Sequence, residues 1–355
     1  MYKSICTATA FVLLSSLLSA ATAQLEIPGR KAFVRNEKNA VMSVQVEAKG
    51  GNLSDVELTL NAPCQSKKVY RIAKIESGKK AIVKIPVETR LTAGSYPMTI
   101  TARGKGLAKS VILQDKLLIG KELHDQMLVL CWGYYPWHHR DIQKLGFTHA
   151  SQNWFRRQSY RDEMLLDGFR GVFTYAKANE LFGKNPPKRI NNSGLPIGHR
   201  RSLNVALPSL QKHAADAIVK YVTKEFSESP AMNGALICSE LRDHTNISFD
   251  RYSKESYKKA TGREYPQEVR EKDGVRYTQI KNFPVSRIVP DNNPILNFYQ
   301  WFWKDGDGWN RMYTVQSDAY KKAYKVPAWT FHDPAVRVPP IWGSGGDVDY
   351  ISHWT

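Results

Sequence analysis

The sequence contains little cysteine, and its cysteines are widely spaced. Four are present, of which Cys6 lies in an N-terminal leader, leaving Cys64, Cys131 and Cys238 in the rest of the chain. An odd number at wide spacing excludes a disulfide framework. We interpret the three as small buried apolar residues, with at least one thiol free or paired between chains. No Cys-x-x-Cys step or Cys/His cluster is present, so we predict neither a metal nor a cofactor.

Long apolar runs are also scarce, and the one exception lies at the N-terminus. The run from Ile5 to Leu18 follows Lys3 and precedes Ala21-Thr22-Ala23, the small-x-small pattern that signal peptidase recognises. A membrane anchor is the alternative, but the run is shorter than the roughly 20 apolar residues that a spanning helix needs. The pattern predicts a signal peptide over residues 1–23, cleavage before Gln24, and a secreted or periplasmic protein with no membrane span.

Acidic residues are outnumbered, since 33 Asp and Glu stand against 51 Lys and Arg and give a net charge of +18. Nucleic acid is the usual partner of such a basic chain. The basic residues are scattered, however, no arginine-rich run accompanies them, and the predicted export argues against nucleic acid. We therefore predict no nucleic-acid partner, and a nucleic-acid binder remains an alternative that rests on charge alone. The charge favours an anionic glycan or cell surface, although solubility accounts for much of it.

Residues 24–120 follow a period of two. Four segments alternate apolar and polar side chains between turns rich in Gly, Asn and Lys, and they lie at 41–48, 56–60, 81–87 and 93–102. Short alternating strands predict an antiparallel β-sandwich that is half exposed. The step Ala93-Gly94-Ser95-Tyr96 into a strand resembles bacterial Ig-like accessory domains. This region contains no constellation of acids, histidines or metal ligands, so we interpret it as a spacer or binding module.

Residues 121–355 alternate strands with helices. Apolar strand patterns occur at 127–132, 146–150, 168–175, 232–239, 328–332 and 348–354, and an amphipathic helix is predicted over 207–226. Alternating β and α segments predict a parallel sheet, either a barrel or a doubly wound fold. No glycine-rich phosphate loop follows the first strand, which favours the barrel. Eight strands close such a barrel, so we predict the N-terminal, incomplete part of a (β/α)8 (TIM) barrel and a chain that is a fragment or was cut short.

Polar and aromatic residues stand at the ends of these strands. Catalytic groups of (β/α) barrels lie at the carboxyl ends of the strands, and sugars need aromatic rings for their C–H faces and fixed polar groups for their hydroxyls. Ordinary packing is the alternative for any single aromatic residue. The pattern predicts a sugar site that contains Trp132, Asn153, Trp154, Tyr175, Ser239, Arg242, His332 and Asp333.

Glu240 is the candidate catalytic residue. It directly follows the apolar strand from Gly234 to Cys238, where a charged side chain is costly unless it faces a cleft. A carboxyl that is partly desolvated beside aromatic walls has a raised pKa and can protonate a glycosidic oxygen. The alternative is a structural salt bridge between Glu240 and Arg242.

Residues 125–335 resemble glycoside hydrolase family 42, a β-galactosidase-like group of retaining barrel enzymes. The resemblance rests on Gly234 to Glu240, on the segment from Ser248 to Pro266, and on Asn293 to Phe302. It implies a retaining two-carboxylate mechanism on an oligo- or polysaccharide, with Glu240 as the acid/base right after the fourth strand. It also implies a long helix before the fifth strand.

The chain departs from the family pattern at two points. The family usually has Asn before the acid/base, where it bonds the sugar 2-hydroxyl, and here the residue is Ser239. The family nucleophile lies at the end of the seventh strand, which would fall beyond Thr355, so no nucleophile is assigned in this chain. Both points favour the alternative function: a non-catalytic carbohydrate-binding or cell-surface protein with a degenerate or truncated barrel. The sequence predicts no oligomeric state.

Overall fold

The structure is a computed structural model. It describes residues 21–63, 65, 68–122, 127–132, 138–151, 157–174, 181–198, 202–225, 227–239, 245–269, 285–286, 288, 290–333 and 346–351. These residues form two compact units. Among the described residues, the N-terminal unit takes in those up to Lys31, Asn36–Leu91 and Ser95–Leu118, and the C-terminal unit takes in Ala32–Arg35, Thr92–Gly94 and those from Ile119 onward. Among the helices described, none is long and apolar enough to cross a membrane.

The first part of the chain forms two antiparallel sheets. Its strands are β1 (Thr22–Glu26), β2 (Ala32–Val34), β3 (Val41–Lys49), β4 (Leu53–Asn61), β5 (Val69–Ile75), β6 (Lys80–Pro86), β7 (Gly94–Lys105) and β8 (Val111–Gly120). One sheet has the order β1-β3-β6 and the other the order β2-β8-β7-β4-β5. The pairs β1–β3, β3–β6, β4–β5 and β4–β7 are antiparallel. The sheets are those of a sandwich-like arrangement, whereas membership of the Ig-like group stays a prediction.

The alternation in the sequence accounts for these strands. In β3, Met42, Val44 and Val46 are fully buried, while Ser43 and Glu47, which point to the other face, are half-buried. Successive side chains of a strand face opposite sides, so one face packs in the core and the other meets water. All four strands predicted in this region are confirmed, within a few residues at their ends.

The second part of the chain forms a parallel sheet. Its strands are β9 (Leu130–Trp132), β10 (His149–Ser151), β11 (Arg170–Thr174), β12 (Met232–Ser239), β13 (Trp329–Asp333) and β14 (Tyr350–Ile351). The six strands neighbour one another in sequence order, and every pair is parallel. The order is that of a curled half-barrel sheet. The prediction of a partial barrel after sandwich-like sheets is therefore supported, and a complete TIM barrel stays a prediction.

Helices connect the parallel strands. They are α1 (His139–Lys144), α2 (Gln158–Asp167), α3 (Pro208–Glu225), α4 (Arg251–Thr261), α5 (Pro294–Trp301) and α6 (Trp309–Ala323), with a single π-helical turn at Phe302–Gly306. The predicted helix over 207–226 is confirmed by α3. The helices and the sheet share a core that includes Ala235 and Ile237 of β12, and the other face of the sheet buries Val172, Leu236 and Phe331.

Three local features position the segments beside the sheet. Helix α4 begins after Asp250, whose carboxylate accepts a hydrogen bond from the Ser253 N–H, and it ends at Gly262 in the left-handed conformation. Helix α6 begins after Gly308, which has a φ of 77°. A Cβ at Gly308 would lie 2.3 Å from the Ala206 Cα, so only glycine allows the two backbones to approach this closely.

Candidate functional site

The parallel strands place three of the predicted site residues, Trp132, Ser239 and Asp333, at the same edge of the sheet, and two of them are neighbours. Ser151 at the end of β10 is the neighbour of Trp132 at the end of β9. Further along the same sheet, Ser239 at the end of β12 is the neighbour of Asp333 at the end of β13. Carboxyl ends of parallel strands share one edge, and this edge carries the active site in (β/α) barrels.

The predicted site residues are only partly within the described residues. Trp132 is 59% exposed, so its ring is available to a ligand. Ser239 and Asp333 are the last residues of their strands. The others predicted to bind or act on sugar lie outside the described residues, and they are Asn153, Trp154, Tyr175, Glu240 and Arg242. Glu240 is the next residue in the sequence after Ser239.

His332 lies in a different place from the one that a sugar contact requires. It is fully buried and stacks on Tyr313 of α6, with ring centroids 4.4 Å apart and an interplanar angle of 17°. Two residues earlier, Thr330 shares a hydrogen bond of 2.8 Å with Ser317 of the same helix. The intervening Phe331 packs on the opposite face of the sheet. His332 therefore packs between the sheet and a helix, because alternation along the strand turns it away from the face that Phe331 occupies.

His149, at the start of β10, is a buried histidine that was not among the residues predicted from the sequence. His149 is fully buried, its Nδ1 lies 2.8 Å from the Thr148 hydroxyl, and its ring meets Trp329 edge-on at 5.4 Å between centroids. Burial, and after it the positive charge of Arg170, lower the pKa of His149 to about 4, while a hydrogen bond with Asn233 acts in the opposite direction. The imidazole is therefore neutral at physiological pH, and no local sequence pattern indicated its burial.

A buried cation lies beside it at the start of β11. The Arg170 guanidinium donates hydrogen bonds to the carbonyl oxygens of Lys121 (2.8 Å) and Phe169 (3.0 Å). Burial lowers the pKa of Arg170 to about 10, which leaves it charged at neutral pH. In the part of the chain that the structure describes, no carboxylate forms an ion pair with it. An arginine inside the apolar stretch from Phe169 to Phe173 was the sequence signal that could have identified it.

A second buried polar network holds together the segments that precede α4 and α6. Arg189 donates to the carbonyl oxygens of Leu203 (3.0 Å) and Asp307 (2.6 Å), and burial lowers its pKa to about 10. The Asp250 carboxylate accepts hydrogen bonds from Ser248, Ser253 and Asn204. Burial acts to raise the pKa of Asp250, but the hydrogen bonds from Ser248, Ser253 and Asn204 together outweigh it and hold that pKa below its usual value.

One group of side chains has the composition of a metal site. The ligand atoms of His139, Glu163 and Asp167 lie within 4.8 Å of one another. The imidazole of His139 is 2.7 Å from Asp167, and Arg140 forms ion pairs with both Asp167 (2.8 Å) and Glu163 (3.2 Å). Because Arg140 already supplies a cation to both carboxylates, we interpret the group as an ion-pair cluster between α1 and α2.

Comparisons with known proteins give distant structural similarities. No protein-family model matches the chain, and no curated protein matches its sequence. The structure is similar to a β-glucuronidase from Parabacteroides merdae (TM-score 0.41, 9% identity, 95% of this chain and 37% of that chain). It is also similar to β-glucuronidase 3 from Bacteroides uniformis (TM-score 0.38, 10% identity, 95% and 35%) and to a β-D-mannosidase from Dictyoglomus thermophilum (TM-score 0.31, 8% identity, 62% and 29%).

The chain spans just over a third of the length of the two β-glucuronidases. Those solved structures are glycoside hydrolases by name, and their identities to this chain are 9% and 10%.

Proposed function

We propose that this chain is the N-terminal part of an exported, retaining glycoside hydrolase with a (β/α)8 barrel. The observation that carries the proposal is the pairing of Ser239 with Asp333, which sets the ends of β12 and β13 side by side. The exposed ring of Trp132 at the end of β9 supports it, since an aromatic face is what a sugar ring stacks on. The substrate class is an oligo- or polysaccharide, and the resemblance to family 42 is part of the proposal.

Glu240 would act as the acid/base. It would protonate the glycosidic oxygen of the leaving group while a second carboxylate, about 5 Å away, attacks the anomeric carbon. Glu240 would then remove a proton from the water that hydrolyses the glycosyl-enzyme. The proposal assigns the second carboxylate to a segment beyond Thr355. Ser239, in the position of the usual Asn, can offer a hydroxyl to the sugar in place of an amide.

The variant Glu240→Gln tests this assignment in a chain that extends beyond Thr355. Loss of the proton donor is expected to lower turnover of unactivated glycosides by about 10²- to 10⁴-fold. Nitrophenyl glycosides need less protonation, so their first step is expected to suffer far less. Azide is expected to restore turnover of the nitrophenyl glycosides, because this anion attacks the glycosyl-enzyme formed from them without a general base.

The structural alternative gives a different result for the same variant. If Glu240 instead forms a salt bridge with Arg242, Glu240→Gln lowers the melting temperature and reduces all activities equally, with no azide effect. The variant Arg242→Gln is the matched control, since it removes the other partner of that salt bridge. Equal losses with both substrate types would end the catalytic assignment.

The second candidate is a non-catalytic carbohydrate-binding protein, and the exposure of Trp132 is the observation that favours it. A ring that is 59% exposed can bind a sugar without any proton donor. Under this alternative the parent hydrolyses no oligosaccharide, Trp132→Ala abolishes oligosaccharide binding, and Glu240→Gln leaves binding unchanged. Assaying hydrolysis of the same oligosaccharide by the parent chain, beside calorimetric titration of both variants, separates the two functions.

Export and the division into domains belong to the same proposal. We propose cleavage before Gln24, a secreted or periplasmic location, and an accessory β-sandwich over residues 24–120. Strand β1 pairs with β3 from Thr22 to Glu26, so cleavage there would leave the last three residues of β1 to pair. N-terminal sequencing of exported material is expected to begin at Gln24, and a sequence that begins at Met1 would contradict export with cleavage.

A further inference from the structure

A cavity of about 500 Å³ lies within the C-terminal unit, and none of its lining residues belongs to β12 or β13. It is formed by the start of α3, the first turns of α4 and the π-helical turn with the start of α6. The side chains used below are Gln211, Tyr252, Ser256, Lys304, Asp305 and Arg311. These come from three segments that are far apart in the sequence, so the cavity is a product of the tertiary fold.

The cavity lies on the carboxyl-end side of the parallel sheet. Helix α6 runs antiparallel to β13, because Tyr313 near its start contacts His332 and the later Ser317 contacts the earlier Thr330. Its start, and with it the cavity, is therefore on the side where β13 ends. That is the side of the sheet on which (β/α) folds bind their ligands.

The cavity is lined by two cations. Lys304 and Arg311 are both exposed, and neither forms an ion pair with any carboxylate among the residues that the structure describes. Asp305 is the one acidic side chain in the lining, so these three side chains carry a net charge of +1. Arg presents several N–H donors in a fixed plane and suits oxyanions such as sulfate and carboxylate.

Three helices begin at this cavity. Pro208 is the first residue of α3, Tyr252 and Ser253 lie in the first turn of α4, and Gly308 precedes α6. Helix N-termini carry partial positive charge. The carboxylates of Asp250 and Asp307 already accept hydrogen bonds from the first turns of α4 and α6, so Lys304 and Arg311 supply the attraction for an anion. Tyr252 is 39% exposed at the same cavity and offers an aromatic surface of the kind that packs on a sugar ring.

We propose that this cavity binds the oxyanion group of an acidic saccharide, either a carboxylate or a sulfate ester. Lys304 and Arg311 bind the anionic group, Tyr252 packs on the sugar ring, and Asp305, Gln211 and Ser256 hydrogen-bond its hydroxyls. The proposal rests on the proposed function only in naming a saccharide as the carrier of the anion. The excess of 51 basic over 33 acidic residues in the chain agrees with an anionic ligand.

The test is calorimetric titration of the 355-residue chain with glucose 6-sulfate, galacturonate, inorganic sulfate, glucose and galactose at constant ionic strength. Glucose 6-sulfate and galacturonate are expected to bind more tightly than inorganic sulfate, glucose or galactose. The double variant Lys304→Gln/Arg311→Gln is expected to weaken both acidic sugars by about tenfold or more, the size of one charge-assisted hydrogen bond. Lys220→Gln/Lys322→Gln, two exposed lysines elsewhere on α3 and α6, is the charge-matched control and is expected to bind as the parent does.

The aromatic contact is tested separately with Tyr252→Ala. This variant is expected to weaken glucose 6-sulfate by about fivefold and to leave inorganic sulfate unchanged. Equal losses in the two double variants would show that binding follows net charge alone and would overturn the site. Inorganic sulfate binding as tightly as glucose 6-sulfate would overturn the saccharide as carrier. Binding is measured without hydrolysis, so a failure here is distinct from a failure of the Glu240 assignment.

Discussion

The two units bury different kinds of side chain. In the N-terminal unit, Gln45 and Thr89 are the buried polar residues among those described, and the rest of the core is apolar. The C-terminal unit buries charged and polar groups at several places, among them His149, Arg170 and Arg189. Burying a polar group costs free energy unless hydrogen bonds compensate it. The C-terminal unit therefore contains buried polar and charged side chains that need hydrogen bonds to offset the cost of their burial.

The positions of charge differ in the same way. In the N-terminal unit, cross-strand ion pairs such as Arg71 with Glu57 and Lys105 with Asp55 lie at the surface. In the C-terminal unit, two arginines are buried and bonded to backbone carbonyl oxygens. All nine histidines of the chain also lie after residue 120. Among the described residues, fully buried arginines are therefore a feature of the C-terminal unit, which also carries surface ion pairs such as Lys212 with Asp216.

The largest expected effect is on the stability of the C-terminal unit. Trp309 is 1% exposed, and its indole N–H donates to the Thr245 hydroxyl at 2.7 Å. Trp309→Ala is expected to lower the free energy of unfolding by about 3–5 kcal/mol, because it leaves a cavity and an unpaired hydroxyl. Urea denaturation followed by circular dichroism measures it. Trp132→Ala is the control with an exposed ring, and equal losses in the two variants would contradict the assigned burial.

The second effect is a pH dependence confined to the C-terminal unit. The pKa of His149 is lowered from 6.5 to about 4, so the unfolded chain binds a proton at this site between those pH values and the folded chain does not. The contribution of His149 to the free energy of unfolding is therefore present above pH 6.5. About 3 kcal/mol of it is lost as the pH falls towards 4. Denaturation at a series of pH values measures the loss.

A pair of variants isolates the contribution of His149 from that of the carboxylates. His149→Gln keeps a partner for Thr148 but removes the titrating group, so its free energy of unfolding is expected to depend less on pH in this range. His213→Gln replaces an exposed histidine and is expected to retain the parental dependence. Parallel curves for the parent and His149→Gln would show that the imidazole is not buried neutral.

The smallest effect is expected at the surface of the N-terminal unit. Arg71 is paired with Glu57 across β4 and β5, its Nε lies 3.1 Å from the carboxylate, and its side chain is 81% exposed. Arg71→Gln is expected to change the free energy of unfolding by less than about 0.5 kcal/mol, since water and salt screen such pairs. Thermal unfolding with and without added salt measures it. A loss above about 1 kcal/mol would mean that charge matters to the stability of this unit too.

The secondary structure was largely predictable, because its signals are local. The period of two over 41–48 reports which side chains of β3 face the core, and the apolar run at 232–239 coincides with β12. The helix over 207–226 is one residue longer at each end than α3. Apolar periodicity encodes burial within a few neighbouring residues, so one sequence suffices to identify it.

Within the candidate site, the sequence predicted positions better than orientations. It predicted that Ser239 and Asp333 end their strands, and they do. It predicted a sugar contact for His332, which stacks on Tyr313 instead. The face to which a strand side chain points depends on whether its position in the strand is odd or even. It also depends on β-bulges that shift the register, as between Leu236 and Ser239. The sequence alone shows neither which of the two faces packs against the helices nor where the bulge occurs.

The sequence by itself determined the change from an alternating to a β/α pattern near residue 120, the excess of basic residues and the acid after the fourth parallel strand. Only the tertiary structure decided which polar groups are buried and which distant segments meet. His149 and Arg170 lie side by side because β10 and β11 pair, and Lys304 shares a cavity with Tyr252 because the segments before α4 and α6 pack together. Such contacts join residues that are far apart along the chain, and local periodicity carries no information about them.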